Sequence, residues 1–342
     1  MNVLITCDRL DCMGGLEEHV VGKVKFLLEK GVRVHLDCNA INEHYFNKLI
    51  GFDNFSLSSP WIEPWTNVFS DIKGFKPDII HAHPFSALQR GVIVKNCFNC
   101  PIVFSVHGEY AWKPPENICN KLDKIIIVNN KIKGYESYNS VVIENGIDIN
   151  RFKNTGRTRD EYERTIVLAT RLQDDKEKPV FDFIDACCFL PQKTIVYIVG
   201  GGKHLDSVKD HIRTKNYDPD KYEFNVMGEV INIEDYLNIA DLVLACDRIA
   251  LEALACDKNV FYMGQGHWKD YLTVHNYKEY LFTNEGKKDY DSIELAEKIT
   301  ESLHEPKDNV NLGSVIRKEY SIESKLNQIL DIYLNLLERH SV

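Results

Sequence analysis

The residues best suited to chemistry lie in Ala169-Thr170-Arg171-Leu172-Gln173-Asp174-Asp175-Lys176-Glu177, directly after a β-branched run. Arg171 and Lys176 sit where open α/β sheets bind ligands, beyond the carboxyl end of a strand. A guanidinium fork and an ammonium there suit a diphosphate and would stabilise it as a leaving group. The competing reading is a solvated loop in which Asp174, Asp175 and Glu177 pair with the two cations. Downstream, Asp247 reads as the N-cap of a helix that carries Arg248 and Glu252. Glu252 falls between Leu251 and Ala253-Leu254-Ala255, so it needs a partner, which a ribose diol would supply. Otherwise it is simply an acid favoured by the helix dipole.

In the first half, Cys7–Leu16 joins a strand to a helix through Gly14-Gly15. The glycines allow close backbone approach and the helix start offers N–H groups to an anion. A plain tight turn explains them equally well. His81, His83 and His107 stand at strand ends, where satisfied structural histidines are common; His107, followed by Gly108, is placed best for a role in a cleft.

Other motifs stop short. GxGxxG is absent, so Asp37 at the end of the second strand is a weak pointer to a nicotinamide dinucleotide. Gly200-Gly201-Gly202-Lys203-His204 lacks the spacing and hydroxyl of an ATP-binding loop, leaving a glycine turn at a strand end. Cys97 and Cys100 form half a zinc motif without a second pair, and the ten cysteines read as reduced thiols. No metal or other cofactor is expected.

Elements that would position these residues follow from periodicity. Val3–Thr6, Val32–Cys38, Asp78–His83, Ile102–Val106, Lys124–Asn129 and Val141–Glu144 read as strands buried on both faces. Leu16, Val20, Val24, Leu27 and Leu28 line one helix stripe, closed by Gly31. A second series follows at Ile166–Ala169, Ile195–Val199, Glu223–Met227, Leu242–Cys246, Val260–Met263 and Tyr280–Thr283. The polar stretch from Asn150 to Arg164 reads as a linker, and Ile322–Glu338 as an amphipathic helix. The α/β reading is two Rossmann-like domains, 1–155 and 156–320, facing across a cleft, followed by a tail helix in 321–342.

Composition sets limits. The chain has 342 residues and a net charge of −10; residues 1–155 carry 17 charges of each sign, so the deficit falls wholly on the remainder. That balance speaks against nucleic acid as a partner. No apolar run suits a membrane span and MNVLITCDRL is not a signal peptide, so a cytoplasmic protein with at most peripheral membrane contact is expected.

Taken in order, GGLEEHV, DIIHAH, His107-Gly108, IENGIDINRF, TRLQDDKEK, MGEV and ADLVLA…ALEALACDKNV resemble the family 4 glycosyltransferases of the GT-B fold, over roughly residues 1–265 plus the tail helix. The resemblance implies an acceptor-binding first domain, a nucleotide-sugar-binding second, and a tail helix, 321–342, packing back on the first. Gly14, Gly15 and Gly200 would lie beside the donor, with Gly15 backing its phosphates and sugar. Arg171 and Lys176 would clamp the diphosphate, Val230 would meet the base, Glu252 would hold the ribose, and His107 would lie near the transferred sugar. It implies retention at the anomeric carbon, no bound metal, a UDP- or GDP-sugar donor and a glycan or lipid-linked acceptor, in cell-surface polysaccharide or glycoconjugate synthesis.

Departures bear on the donor. Leu244 stands where the family often has a sugar-contacting Glu, and the loop is cut to Cys246-Asp247-Arg248, so that Arg248 would reach the phosphate or sugar instead, with Asp247 beside the donor. Glu177, Asp257 and Asn259 replace a Gly, a Gly and a Pro. The rival functions are an epimerase similar to UDP-N-acetylglucosamine 2-epimerases, a non-catalytic sugar-nucleotide binder, and an NAD-dependent oxidoreductase. Trp61, Trp65, Tyr110 and Trp112 lie in first-domain loops where an acceptor would be gripped, or in its core.

Overall fold

A computed structural model describes residues 1–12, 14–60, 62, 64–108, 110–156, 163–174, 176–215, 217–264, 266–282, 287–304 and 309–340. Trp61, Asp175 and Thr283 lie outside them, as does part of the expected linker. The chain forms two units, Met1–Gly146 with Ile322–Val342, and Ile147–Ser321.

The first unit is built on strands β1 (Asn2–Leu10), β2 (Arg33–Ile41), β3 (Phe55–Ser58), β4 (Ile79–Ala82), β5 (Ile102–Val106), β6 (Lys124–Ile127) and β7 (Ser140–Val142). They pair in the order β3-β2-β1-β4-β5-β6-β7. Every pair is parallel. The physical cause is the apolar content of both strand faces: Val3, Leu4 and Ile5 of β1 are all buried. Helix Gly15–Glu29 buries Val20, Val24, Leu27 and Leu28, and ends where Gly31 takes φ +76°, its N–H donating to Leu28.

Helix Ile322–His340 belongs to this same unit. It buries Leu326, Ile329, Tyr333 and Leu336 in the core that holds Val20, Val24 and Leu27. Gly22 makes the approach possible, since a Cβ there would fall 2.8 Å from the Ile322 Cδ1. Lys325 ties the helix to Glu144 at 2.8 Å.

The second unit repeats the pattern with β8 (Glu163–Ala169), β9 (Lys193–Val199), β10 (Tyr222–Gly228), β11 (Leu242–Ala245), β12 (Asn259–Met263) and β13 (Trp268–Tyr271). The order is β10-β9-β8-β11-β12-β13. All pairs are parallel except β12 with β13.

Several expectations are corrected. Tyr280 lies not in a strand but in helix Tyr277–Phe282, which buries Tyr277 and Leu281 at helical spacing. The run Tyr280-Leu281-Phe282 is too short for periodicity to separate the two states. Two strands went unread: β3, with Ser at alternate positions, and β13, a four-residue antiparallel edge. Glu163-Arg164, taken as the end of a linker, open β8.

Candidate functional site

In each unit the order of the strands reverses once, between β1 and β4 and between β8 and β11. Loops that leave the carboxyl ends of those strands diverge and open a crevice, the place where doubly wound sheets bind ligands. The singled-out residues of each unit gather there.

In the second unit, the loop after β8 carries Arg171 and Lys176. Gly200 and Gly202, after β9, lie hard against it. Gly200 has φ +137° and a Cβ there would fall 1.8 Å from the Thr170 carbonyl; Gly202 has φ +149° and would meet the Leu172 carbonyl at 2.3 Å. Any side chain would drive the loops apart. Backbone bonds then lock them, with Leu172 N donating to Gly201 O at 2.9 Å, His204 N to Leu172 O at 3.2 Å, and Gly200 N to Gly228 O at 2.7 Å. The last bond ties in the end of β10, just before half-buried Val230.

Of the acids that might have quenched the cations, the two described, Asp174 and Glu177, are used elsewhere. Asp174 pairs with Lys203, and with His204 Nε2 at 2.8 Å; Glu177 lies 3.0 Å from His204 Nδ1. The Lys203 hydrogen bond, followed by that of His204, holds the Asp174 carboxyl below the usual carboxylate range. Arg171 is therefore exposed with no carboxylate pairing to it among the described residues. Lys176 is 7% exposed and donates to Gly264 O at 3.4 Å, at the end of β12. One cation faces solvent while the other is held inward.

After β11 the chain enters helix Asp247–Ala255. Cys246, not Asp247, occupies the N-cap, and no side chain caps this helix. Asp247 instead takes φ +46° and exchanges bonds with the Tyr262 hydroxyl, which donates to its carboxylate at 3.1 Å and accepts from its N–H at 3.3 Å. Glu252 is 5% exposed and receives Arg248 Nε at 2.7 Å. Spacing of i to i+4 puts both on one helix face, so Arg248 supplies the partner that the buried acid needs.

In the first unit, Gly14 caps helix Gly15–Glu29 in extended conformation without a side-chain bond, at an end where a helix presents its N–H groups. His83 and His107 stand at the ends of β4 and β5 and their rings stack, with His83 Nδ1 2.8 Å from His107 Nε2. Sequence reasoning missed what lies behind them. Lys23, on the buried face of the first helix, sits 3.3 Å from His83 Nε2 and 3.1 Å from His81 Nε2. Its signal was a lysine amid apolar helix positions. Burial pushes Lys23 well below the ordinary lysine range, and pushes His107 down to about 3. Burial, then the Lys23 charge, does the same to His81 and His83.

One donor pattern satisfies the cluster when the Tyr333 hydroxyl and the Lys23 amine both donate. Tyr333, kept neutral by burial, then donates to His81 Nδ1, and His81 Nε2–H to Ser105 Oγ at 2.7 Å. Lys23 donates to His83 Nε2, and His83 Nδ1–H to His107 Nε2. In this pattern the His107 proton lies on Nδ1, a buried atom with no hydrogen-bond partner among the described residues.

The remaining candidates separate cleanly. Asp37 is fully buried and bound to Arg90 Nε at 2.8 Å, so it is closed to a ribose and the basis of the nicotinamide reading is gone. Trp65, Tyr110 and Trp112 all pack against the core, and Tyr110 and Trp112 also line a cavity next to Gly108. Among the described residues, no helix is long and apolar enough to cross a membrane.

The sequence model of Glycosyltransferase Family 4 matches residues 13–151. No curated protein matches the sequence. Solved structures match over the whole length. A glycosyltransferase from Rickettsia africae is 17% identical with TM-score 0.73, covering 98% of both chains. HepE of Anabaena, in complex with UDP and glucose, is 16% identical with TM-score 0.70, over 98% of this chain and 100% of that one. A sucrose-phosphate synthase from Thermosynechococcus elongatus is 15% identical with TM-score 0.70, over 99% of each. The fold is that of the GT-B glycosyltransferases, and the match over residues 13–151 supports a family 4 glycosyltransferase.

Proposed function

We propose that this chain transfers a sugar from a nucleoside diphosphate sugar to a glycan or lipid-linked acceptor, with retention at the anomeric carbon and without a bound metal. The observation that carries the reading is the loop after β8, where Asp174 and Glu177 are drawn to His204 and the Arg171 guanidinium stands unpaired by any described carboxylate. A guanidinium with no described carboxylate partner, in the same loop as an inward ammonium, is a receptor for phosphate oxygens. As the bond to the sugar breaks, negative charge grows on the leaving diphosphate, and Arg171 and Lys176 neutralise it. The uncapped start of helix Asp247–Ala255 adds N–H donors on the opposite side of the same crevice. Glu252, with Arg248, would take the ribose hydroxyls, and Val230 the base.

Relatives solved with UDP make a UDP-sugar the first donor to try. In the first unit, the Nδ1–H of His107 would donate to a hydroxyl of the sugar in transit. Arg171→Ala should lower turnover of a donor screened from UDP- and GDP-sugars about 10²–10³-fold. Wild-type-like turnover in that variant would refute the assignment. Incubation of the donor without acceptor, with analysis of the sugar released, separates transfer or slow hydrolysis from epimerisation.

A further inference from the structure

Next to His107, the first unit holds a cavity of about 240 Å³ that the donor chemistry does not use. Tyr110, Trp112 and Tyr135 form its aromatic walls, and Lys113 and Lys133 its charged ones. Phe85 continues the aromatic surface, tilted against Tyr110 at 5.0 Å and Trp112 at 5.4 Å. It is 43% exposed and takes φ +69°. An exposed ring on a strained backbone, following the β4 histidines, marks a surface kept for a ligand and not for the core.

The two lysines are placed by the backbone. Lys113 Nζ donates to Lys133 O at 3.2 Å. It lies over Gly134, where a Cβ would come within 2.7 Å of it and where φ is +95°. Among the described residues no carboxylate forms an ion pair with either ammonium. The Glu136 carboxylate, whose field reaches Lys133, is engaged by the Gly134 N–H at 2.8 Å. Two ammoniums without described carboxylate partners on an aromatic cavity make an arrangement that favours an anion.

We propose that this cavity is an acceptor subsite for a sugar ring bearing an anionic group, a carboxylate or a phosphate. The inference rests on the transferase reading above. C–H faces of the ring would stack on Trp112 and Tyr110, and the anion would lie between Lys113 and Lys133. The volume is below the ~300 Å³ at which pockets for drug-sized ligands begin, which suits one ring rather than a nucleotide.

The test is titration of the full chain, without donor, while following the indole N–H of Trp112 by NMR, assigned through Trp112→Phe. The probes are methyl β-glucuronide, glucose 6-phosphate and methyl β-glucoside. We expect saturable shifts with the anionic probes, at about fivefold lower concentration than with the neutral one. The double variant Lys113→Gln/Lys133→Gln should erase that advantage and leave the neutral glycoside unchanged. Response to the glucuronide alone assigns a uronate, to the phosphate alone a phosphorylated sugar; either supports the class. Equal binding of neutral and anionic probes, an advantage that survives lysine removal, or no shift with any probe would overturn it. Arg171→Ala should leave these shifts intact, so loss of the donor reading and loss of this one give different results.

Discussion

At the scale of residues, chemistry is set by who pairs with whom. Arg171 and Lys176 were legible as a candidate clamp from type and spacing, but the absence of a described carboxylate partner for Arg171 was not. That depended on His204, contributed by a loop on a different strand, which draws Asp174 and Glu177 away. Charge counting along a chain cannot see such a cross-loop partner. His107 was legible in the same limited sense, while Lys23 and Tyr333 were not, because they reach the cluster from two separate helices. The cluster makes a specific prediction for nitrogen-15 histidine spectra. His83 and His107 should be protonated at Nδ1 and His81 at Nε2. Lys23→Met removes the donor that orders the series, and His107 should then shift toward its Nε2–H form. A His107 proton on Nε2 in the unaltered protein would contradict the assignment.

Elements come next. Strands buried on both faces were readable because Val and Ile fill successive positions, as in β1 and β5. Short edge strands such as β13 lacked that signal, and helix Tyr277–Phe282 carried a misleading one. The glycine turn after β9 was read as a feature of the crevice, but its purpose needed coordinates: Gly200 and Gly202 are pressed against carbonyls of the loop that bears the clamp. Gly202→Ala should cost about 1–3 kcal/mol of stability and weaken diphosphate binding together, since it displaces Leu172 and with it Arg171. Chemical denaturation paired with nucleotide titration reads both effects; unchanged binding would separate the turn from the clamp. In the first unit, Ile329→Ala in helix Ile322–His340 removes a side chain that is 1% exposed and should cost about 2–5 kcal/mol, seen as a lower denaturation midpoint.

Over the whole molecule, two sheets of related order carry different chemistry. Neutral buried imidazoles concentrate in the first unit, where burial lowers His35 to about 4 and His107 to about 3. Unfolded histidines titrate near ~6.5. Between those values the unfolded chain binds protons that the folded chain refuses. The stability these groups contribute is thus complete above about pH 6.5 and is lost as pH falls through the folded values. The denaturation midpoint should decline from pH 6.5 to 4, and His35→Gln should flatten the decline. A midpoint constant over that range would contradict the neutral cluster. Fold class was legible because alternating elements allow few topologies, whereas the assignment of helix Ile322–His340 to the first unit rests on packing at Gly22 that no periodicity contains.

Diphosphate capture by Arg171 underlies the functional reading, and calorimetric titration of UDP probes it most directly. The unaltered chain should bind UDP, and Arg171→Ala, an exposed substitution that leaves folding intact, should bind it at least about tenfold more weakly, the worth of a charge-assisted hydrogen bond. Equal affinity in the two proteins would contradict it.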